Sequence, residues 1–476
     1  MERILTAAQM QEADRFNIEK LGISAETFIQ RAGIAVADEI NRRLKGGRVL
    51  VCIGKGNNGA DGKVVAGILS KIHGFSVTSI NVSNGIFRLF DRKIDIIVDC
   101  IFGTGLNREV TGRYKEAIER INSSGAYVVS CDIPSGLNSD TGKPMGIAVK
   151  ADLTVAIQEY KLGHFINDGK DYCGKVILKD IGMSVWENDF ALKINNEDAA
   201  KFFPKRNSRV NKGDFGKSVI IGGSKKYSGS SLLSLNALTS YKVGVGYSFL
   251  YTPDCVFNAV VGLYPECIIN PIKDDGTNML FDKEKLDEAK KCDAIAFGMG
   301  IGKSEGVYRS LEYLIKTYDK TLIIDADGLN LLAENKNELL NSEHACKIVL
   351  TPHVKEFSRL SGYNIDDCFD VEKVKEFAKK YNVIVALKSN TAIISDGEKV
   401  FINTTGSPAM AKAGSGDVLS GLMCGILSRT DDVLLGVCAS CYIFGLAGEI
   451  AEKEQNEYSV TASDLIYAIP KALNSL

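Results

Sequence analysis

At 476 residues, with 57 lysines and arginines against 59 aspartates and glutamates, the chain carries a formal charge of −2, which excludes a nucleic-acid binder working by bulk electrostatics. It is long enough for two domains, each with a core of its own. Its twelve cysteines are scattered and its four histidines dispersed; the tight pair Cys438-x-x-Cys441 has no second pair beside it, so neither a disulfide framework nor a zinc cluster is predicted.

The chain opens on "MERILTAAQMQEADRF", where no apolar stretch follows the charges, so no secretory leader is expected and the protein is placed in the cytoplasm. Apolar runs such as 418–427 are too short and glycine-rich to cross a bilayer. Thr6, with Gln9 three residues on, is a capping box for a helix over 7–20, and Ser24 caps a second reaching about Leu44. The period then changes. "RVLVCIG" (48–54), "FSVTSI" (75–80), "IDIIVDCIFG" (94–103), "AYVVSCDIPSG" (126–136) and "ADLTVAIQ" (151–158) are short Val/Ile-rich runs, mostly alternating with helical stretches. That pattern predicts a parallel sheet covered on both faces, whose ligands bind beyond the carboxyl ends of the strands.

Three polar, glycine-rich turns fall at those ends. "GKGNNGADGK" (54–63) offers Asn57, Asn58 and Asp61 as oxygen donors. "DCIFGTGLNRE" (99–109) ends a strand on Asp99 and continues into a flexible loop. In "DIPSGLNSDTG" (132–142), Pro134 stiffens the turn after Asp132, and Ser135 presents its hydroxyl. Each alone reads equally as turn chemistry; turn chemistry does not require all three to meet at one sheet edge.

Between about 183 and 216 the chain is polar and basic, with its only tryptophan, and reads as a linker with a short helix; the domain boundary is placed at 204/205. A new α/β series follows. "SVIIGGS" (218–224) leads into a helix from about Ser228, and "CDAIAFGMGIG" (292–302) repeats the strand-then-glycine design. "TLIIDADGLN" (321–330) puts Asp325 and Asp327 at a strand end, and "KIVLTPHVKEFSRL" (347–360) puts Thr351, Pro352 and His353 at another, with Glu356 one turn into a helix. "VIVALKSNTAII" (383–394) is a strand, a polar turn and a strand. Lastly, "TTGSPAMAKAGSGDVLSG" (404–421) ends in Gly414-Ser415-Gly416-Asp417 at a helix start. Its small residues let backbone N–H groups approach an anion, and a carboxylate there is repulsive to phosphate unless it binds a metal or takes a proton. A plain helix cap is the alternative.

Taken together, "NNGADG", "DCIFGTG" and "DIPSGLNSDTG" resemble the NAD(P)H-hydrate epimerase domain. "NKGDFG", "GGS…YSGS", "FGMGIG", "DADGLN", "TPHVKEFSRL", "LKSNT" and "AGSGDVLSG" resemble the ADP-dependent NAD(P)H-hydrate dehydratase domain. Their fused order is similar to bifunctional NAD(P)H-hydrate repair enzymes over nearly the whole chain. The resemblance departs in small loop exchanges, among them Ala60 for a usual Gly, Ser230 for Ala and Asn211 for His.

The resemblance implies an α/β fold in two domains, a Rossmann-like three-layer sandwich over 1–204 and a ribokinase-like one over 205–476. It implies that the first interconverts R and S hydrates and the second dehydrates the S form with ADP, giving AMP and phosphate. Asp132 would handle the proton of epimerisation. Asn57, Asn58, Gly59, Ala60 and Asp61, with Gly103, Thr104, Gly105, Leu106, Asn107, Arg108 and Glu109, would line the hydrate. Asn58, Asp99 and Ser135 would hold a potassium ion. In the second domain Asp417 would be the base, Ser230, Gly302, His353 and Asp417 would contact the hydrate, and Lys388, Ser389, Asn390, Thr391, Ala392 and Gly416 the nucleotide, with magnesium on its phosphates. The expected partners are NADHX, NADPHX and ADP, with no nucleic acid and no membrane, in a homo-oligomer. Two other readings compete: a ribokinase-like small-molecule kinase, for a sugar or vitamin precursor, and a non-catalytic scaffold built on the N-terminal domain.

Overall fold

The computed structural model describes residues 1–84, 90, 93–185, 190–238, 240–335 and 337–476; Trp186, in the expected linker, lies outside them. The chain divides into two compact units, Glu2–Ala191 and Leu192–Leu476 together with Met1. The division therefore falls thirteen residues before 204/205. The segment expected to be linker carries a strand at Ala191–Lys193 and the helix Asn196–Ala200, and Ile194 and Ala199 are buried in the C-terminal core.

In the N-terminal unit a short strand, β1 (Glu2–Leu5), precedes two helices. Ala7–Glu19 starts with the predicted capping box, Thr6 accepting from the Gln9 backbone and Gln9 from that of Thr6, and Ala25–Leu44 starts with Ser24 accepting from Thr27. The strands then run β2 (Gly47–Ile53), β3 (Phe75–Asn81), β4 (Ile96–Cys100), β5 (Tyr127–Cys131), β6 (Leu153–Ile157), β7 (Tyr160–Lys161) and β8 (Lys175–Lys179). Six of them form a parallel sheet in the order β3-β2-β4-β5-β6-β8, and β1 pairs in parallel with β7. Val49, Val51 and Ile53 pack with Phe28, Val36, Ile40 and Val65 of the helices on one face. Leu50 and Cys52, offset by one residue, pack with Ala117, Ile118 and Ile121 on the other. Side chains alternate across a strand, so both faces are buried, as the unbroken apolar runs require.

The C-terminal unit contains β9 (Ala191–Lys193), β10 (Lys217–Ile221), β11 (Tyr247–Pro253), β12 (Ile268–Ile272), β13 (Ala294–Phe297), β14 (Thr321–Ile324), β15 (Lys347–Leu350), β16 (Ile384–Leu387), β17 (Ala392–Ser395) and β18 (Val400–Asn403). Their order is β12-β11-β10-β13-β14-β15-β16-β17-β18-β9, parallel from β12 to β16 and antiparallel across β16-β17-β18. Ile220, Ala296, Ile323, Val349 and Ala386 face one core with the helices Ser228–Leu238, Ser415–Leu427 and Val433–Glu454. Val219, Ile295, Leu322 and Ile348, one residue out of step, are buried on the other face. Among the described residues one helix, Val433–Glu454, is long and apolar enough to cross a membrane, at mean hydropathy 1.9, and 61% of that stretch is buried inside the protein. It is longer than the 418–427 run singled out from sequence, and its apolarity is accounted for by this packing. Cys438 and Cys441 are buried free thiols within it.

Candidate functional site

In the N-terminal unit the three glycine-rich turns do converge. The helix Asn57–Leu69 starts directly after β2, and its Asn58 reaches across, the amide nitrogen donating to the carbonyls of Phe102 at 2.8 Å and Cys131 at 2.9 Å. Gly103 lies so close that a Cβ there would stand 3.2 Å from that nitrogen. Asp99, with no exposed surface, accepts hydrogen bonds from Ser135 Oγ, from the Ser135 N–H at 2.8 Å and from Ser130 Oγ at 2.9 Å. The Ser135 hydroxyl in turn accepts from the Phe102 N–H at 2.8 Å. Asn58, Asp99 and Ser135 thus meet around the Phe102 peptide. The Asn58 Oδ1 is buried with no hydrogen-bond partner, which an apolar setting penalises; an orphaned amide oxygen beside a carboxylate, a hydroxyl and a carbonyl suits a hard monovalent cation.

A cleft of about 580 Å³ opens above these turns. Of the residues expected around the hydrate it is lined by Asn57, Asn58, Asp61, Gly103, Thr104, Gly105, Leu106, Asn107, Arg108 and Asp132, and not by Gly59, Ala60 or Glu109. Lining residues that escaped the sequence reading include Asp14, Lys161 and an apolar wall with Met10, Phe28 and Ile29 on the first two helices. Asp132, at the end of β5, adopts a positive φ of 65°, a strained setting for a residue with a side chain. The strain is held by its surroundings. Its carboxylate is ion-paired with Lys161 and accepts from the Ile157 N–H at 3.1 Å, while its carbonyl lies 2.7 Å from His164 Nε2. Because His164 Nδ1 accepts from the Lys161 N–H at 3.1 Å, the proton belongs on Nε2, which donates to Asp132. Burial holds His164 neutral, down to about 4. Burial, with the charges of Asp132 and Asp14 behind it, pushes Asp61 up to about 8, and burial raises Asp14 as well. A buried lysine, ion-paired with Asp132 and acting on Asp14, is the electrostatic centre of the cleft.

In the C-terminal unit the polar residues gather at the carboxyl ends of the parallel strands. Asp325, 2% exposed after β14, accepts from Lys388 Nζ and from Ser420 Oγ, both at 2.7 Å. Gly414 begins the helix Ser415–Leu427 at φ 90°, where a Cβ would also come within 2.5 Å of Leu233, so the turn demands glycine. In that first turn the Ser415 N–H donates to the Lys412 carbonyl at 3.3 Å, and Gly416 stands beside Lys388, whose Nζ would lie 3.3 Å from a Cβ on it. Burial, with Asp325 nearby, raises Asp417 to about 7, against the opposing effect of its hydrogen bond with Ser230. The Gly302 N–H donates to Asp327 at 2.9 Å. His353 caps the helix Val354–Ser361, its Nδ1 accepting from the Lys355 and Glu356 N–H groups, and is half exposed. Lys388 turns its ammonium onto Asp325, with Glu356 and Asp417 also acting on it, while 389–391 form the turn between β16 and β17. Asp325, Glu356 and Ser420 are thus parts of the site absent from the expected contact residues. No group of three or more metal-ligating side chains occurs among the described residues.

Comparison with known proteins agrees with this geometry. The sequence profile described as NAD(P)H-hydrate dehydratase matches residues 218–471, and that of the YjeF-related protein N-terminus matches 25–86 and 80–163. A bifunctional NAD(P)H-hydrate repair enzyme of Thermofilum pendens is 33% identical over 100% of this chain and 97% of its own. Another, of Archaeoglobus fulgidus, is 31% identical over 98% of each. Among solved structures, an ADP/ATP-dependent NAD(P)H-hydrate dehydratase of Bacillus subtilis, co-crystallised with ATP and Mg2+, superposes with a TM-score of 0.50 at 25% identity over 59% of this chain and 96% of that one. A ribokinase-like superfamily protein of Enterococcus faecalis, at TM-score 0.53, 22% identity and 60% and 96% coverage, shares the fold. Homology along the full length, with the two profiles falling on the two units, places this chain in the family of bifunctional NAD(P)H-hydrate repair enzymes.

Proposed function

We propose that this chain repairs hydrated nicotinamide cofactors, the N-terminal unit interconverting R and S NAD(P)HX and the C-terminal unit returning S-NAD(P)HX to NAD(P)H with ADP, giving AMP and phosphate. The carrying observation is Asp417, a carboxylate raised to about 7 at a glycine-rich helix start. A carboxylate raised toward neutrality holds a proton more readily than an ordinary one, which suits it to general base work. Asp417 takes the proton of the C6 hydroxyl as it attacks the terminal phosphoryl group; the N–H groups of the 414–416 turn and the Lys388 ammonium balance the charge that develops there. The C6–O bond then breaks with its electron pair leaving on phosphate, the departing phosphate takes a proton from C5, and the C5–H electron pair restores the C5=C6 double bond.

Ser230, which hydrogen-bonds Asp417, would contact the hydrate together with Gly302 and His353, and Lys388, Ser389, Asn390, Thr391, Ala392 and Gly416 would contact the nucleotide. Magnesium would be carried by the nucleotide phosphates, needing only one or two carboxylates and water from the protein; Asp325 and Asp327, at the end of β14, would supply them. In the N-terminal unit, Asn58, Asp99 and Ser135 would hold potassium, which would tie the 57–61 and 102–105 turns together. Asp132, aimed by Lys161 and His164, handles the proton of epimerisation. The protein works in the cytoplasm as a homo-oligomer.

Incubation with mixed R and S NADHX and with ADP or ATP, followed by chromatography, tests the reading. Recovery of NADH from both epimers with release of phosphate is expected. A stable phosphorylated product instead would return the protein to the kinases.

A further inference from the structure

We propose that Asp14 is a second proton-transfer group of the N-terminal cleft, acting on the C6 hydroxyl from a different wall than Asp132. The inference rests on the reading of this cleft as the epimerase site. Asp14 lies on the helix Ala7–Glu19, where Met10, Asp14 and Ile18, spaced four residues apart, all line the cleft. At that spacing they form one stripe, in which Asp14 is the lone carboxylate between apolar neighbours. The helix is pinned at both ends. Its Ala7 N–H donates to Asp140 at 2.6 Å; the fully buried Asn17 donates to the Ser184 carbonyl at 2.9 Å and accepts from the Ser184 N–H at 3.0 Å. A proton-transfer group needs this fixed placement.

The surroundings supply the rest. Lys161 and Asp132 both act electrostatically on Asp14, and Asp14 acts on Asp61. The buried Lys161 ammonium is ion-paired with Asp132; among the described residues neither Asp14 nor Asp61 has an ion pair of its own, and burial with like charges nearby keeps protons bound there. Lys55 and Arg108 line the cleft from its exposed side.

Inversion at C6 needs both kinds of group. The C6–O bond breaks with its electron pair passing to oxygen, the ring nitrogen lone pair forms an N1=C6 double bond, and Asp14, protonated, gives its proton so that water departs. Water then adds to the other face of the planar carbon. The C6–O bond re-forms, the π pair returns to nitrogen, and Asp132 takes the proton released. The reverse direction exchanges the two roles. No oxidant or reductant is required.

The test uses the full-length chain, pure epimers and water enriched in oxygen-18. Wild-type enzyme should place the heavy oxygen at C6 of the S product formed from R hydrate. Asp14→Asn should lower the kcat of epimerisation by about a hundredfold or more with KM changed less than about threefold, and Asp14→Glu should recover part of the rate, a split that a packing defect would not produce. Normal kcat in Asp14→Asn, a loss confined to KM, or an S product without heavy oxygen would each overturn the proposal. A wild-type chain that leaves the epimers at their spontaneous rate of exchange would instead overturn the epimerase reading on which it rests.

Discussion

Replacing Asp417 by Asn should separate the catalytic use of that carboxylate from its cost to the fold. The carboxyl is raised from 3.8 to about 7, chiefly by burial, so between those values the folded protein binds a proton that the unfolded chain has released. Stability therefore falls as pH rises through this window and stays low above it. The shift is about 3 pH units, and at about 1.4 kcal/mol per unit the penalty at pH 8 is at most ~4 kcal/mol. Asn keeps the size and the hydrogen bond to Ser230 without the charge. Urea unfolding of the full chain at pH 5 and pH 8 should show Asp417→Asn gaining stability over the parent at pH 8, and less at pH 5. ADP-driven dehydration should drop by about 10²–10⁴-fold, the range for loss of a general base, while nucleotide still binds to the backbone turn. Equal stability differences at the two pH values would refute the electrostatic argument; near-normal turnover would refute the role of Asp417, and His353 would be examined next.

Asp132→Asn should abolish epimerisation while ADP-dependent turnover of pure S hydrate continues; loss of both activities would deny the division of labour between the units. Lys161→Met strands Asp132 without its buried ion-pair partner and should destabilise the N-terminal unit by about 3–5 kcal/mol in urea unfolding; a cost under about 1 kcal/mol would mean the pair is not desolvated. Asp99→Ala removes the acceptor shared by Ser130 and Ser135 and should diminish potassium response and hydrate binding together in an epimerase assay. An unchanged potassium response would remove the ion from the site. Expressed alone, residues 192–476 should melt at a higher temperature than residues 205–476, because the shorter piece lacks the β9 edge beside β18 and the buried Ile194 and Ala199.

What the sequence determined by itself was whatever depends on neighbours along the chain. The Thr6–Gln9 capping box and the Ser24 cap arise within one turn. The runs around Val49 and Ile97 declare strands buried on both faces by lacking polar alternation. Gly414 to Asp417 declares a helix start, and the ordered motifs declare the family. The tertiary structure decided what depends on residues far apart. Lys161 lies in "QEYKLG", where a lysine is by default a surface residue; it is buried because β6 and β7 deliver it beneath Asp132, 29 positions earlier. Asp14 lies on a helix whose start is legible from its capping box, but only the packed helix shows that Met10, Asp14 and Ile18 face the cleft. Lys388 is legible as a nucleotide contact, but that its ammonium also meets Asp325, 63 positions away, follows only from the order β14-β15-β16. The near-neutral carboxyls of Asp61 and Asp417 arise from burial and from charges on other elements, quantities that exist only once the sheet order has assembled them.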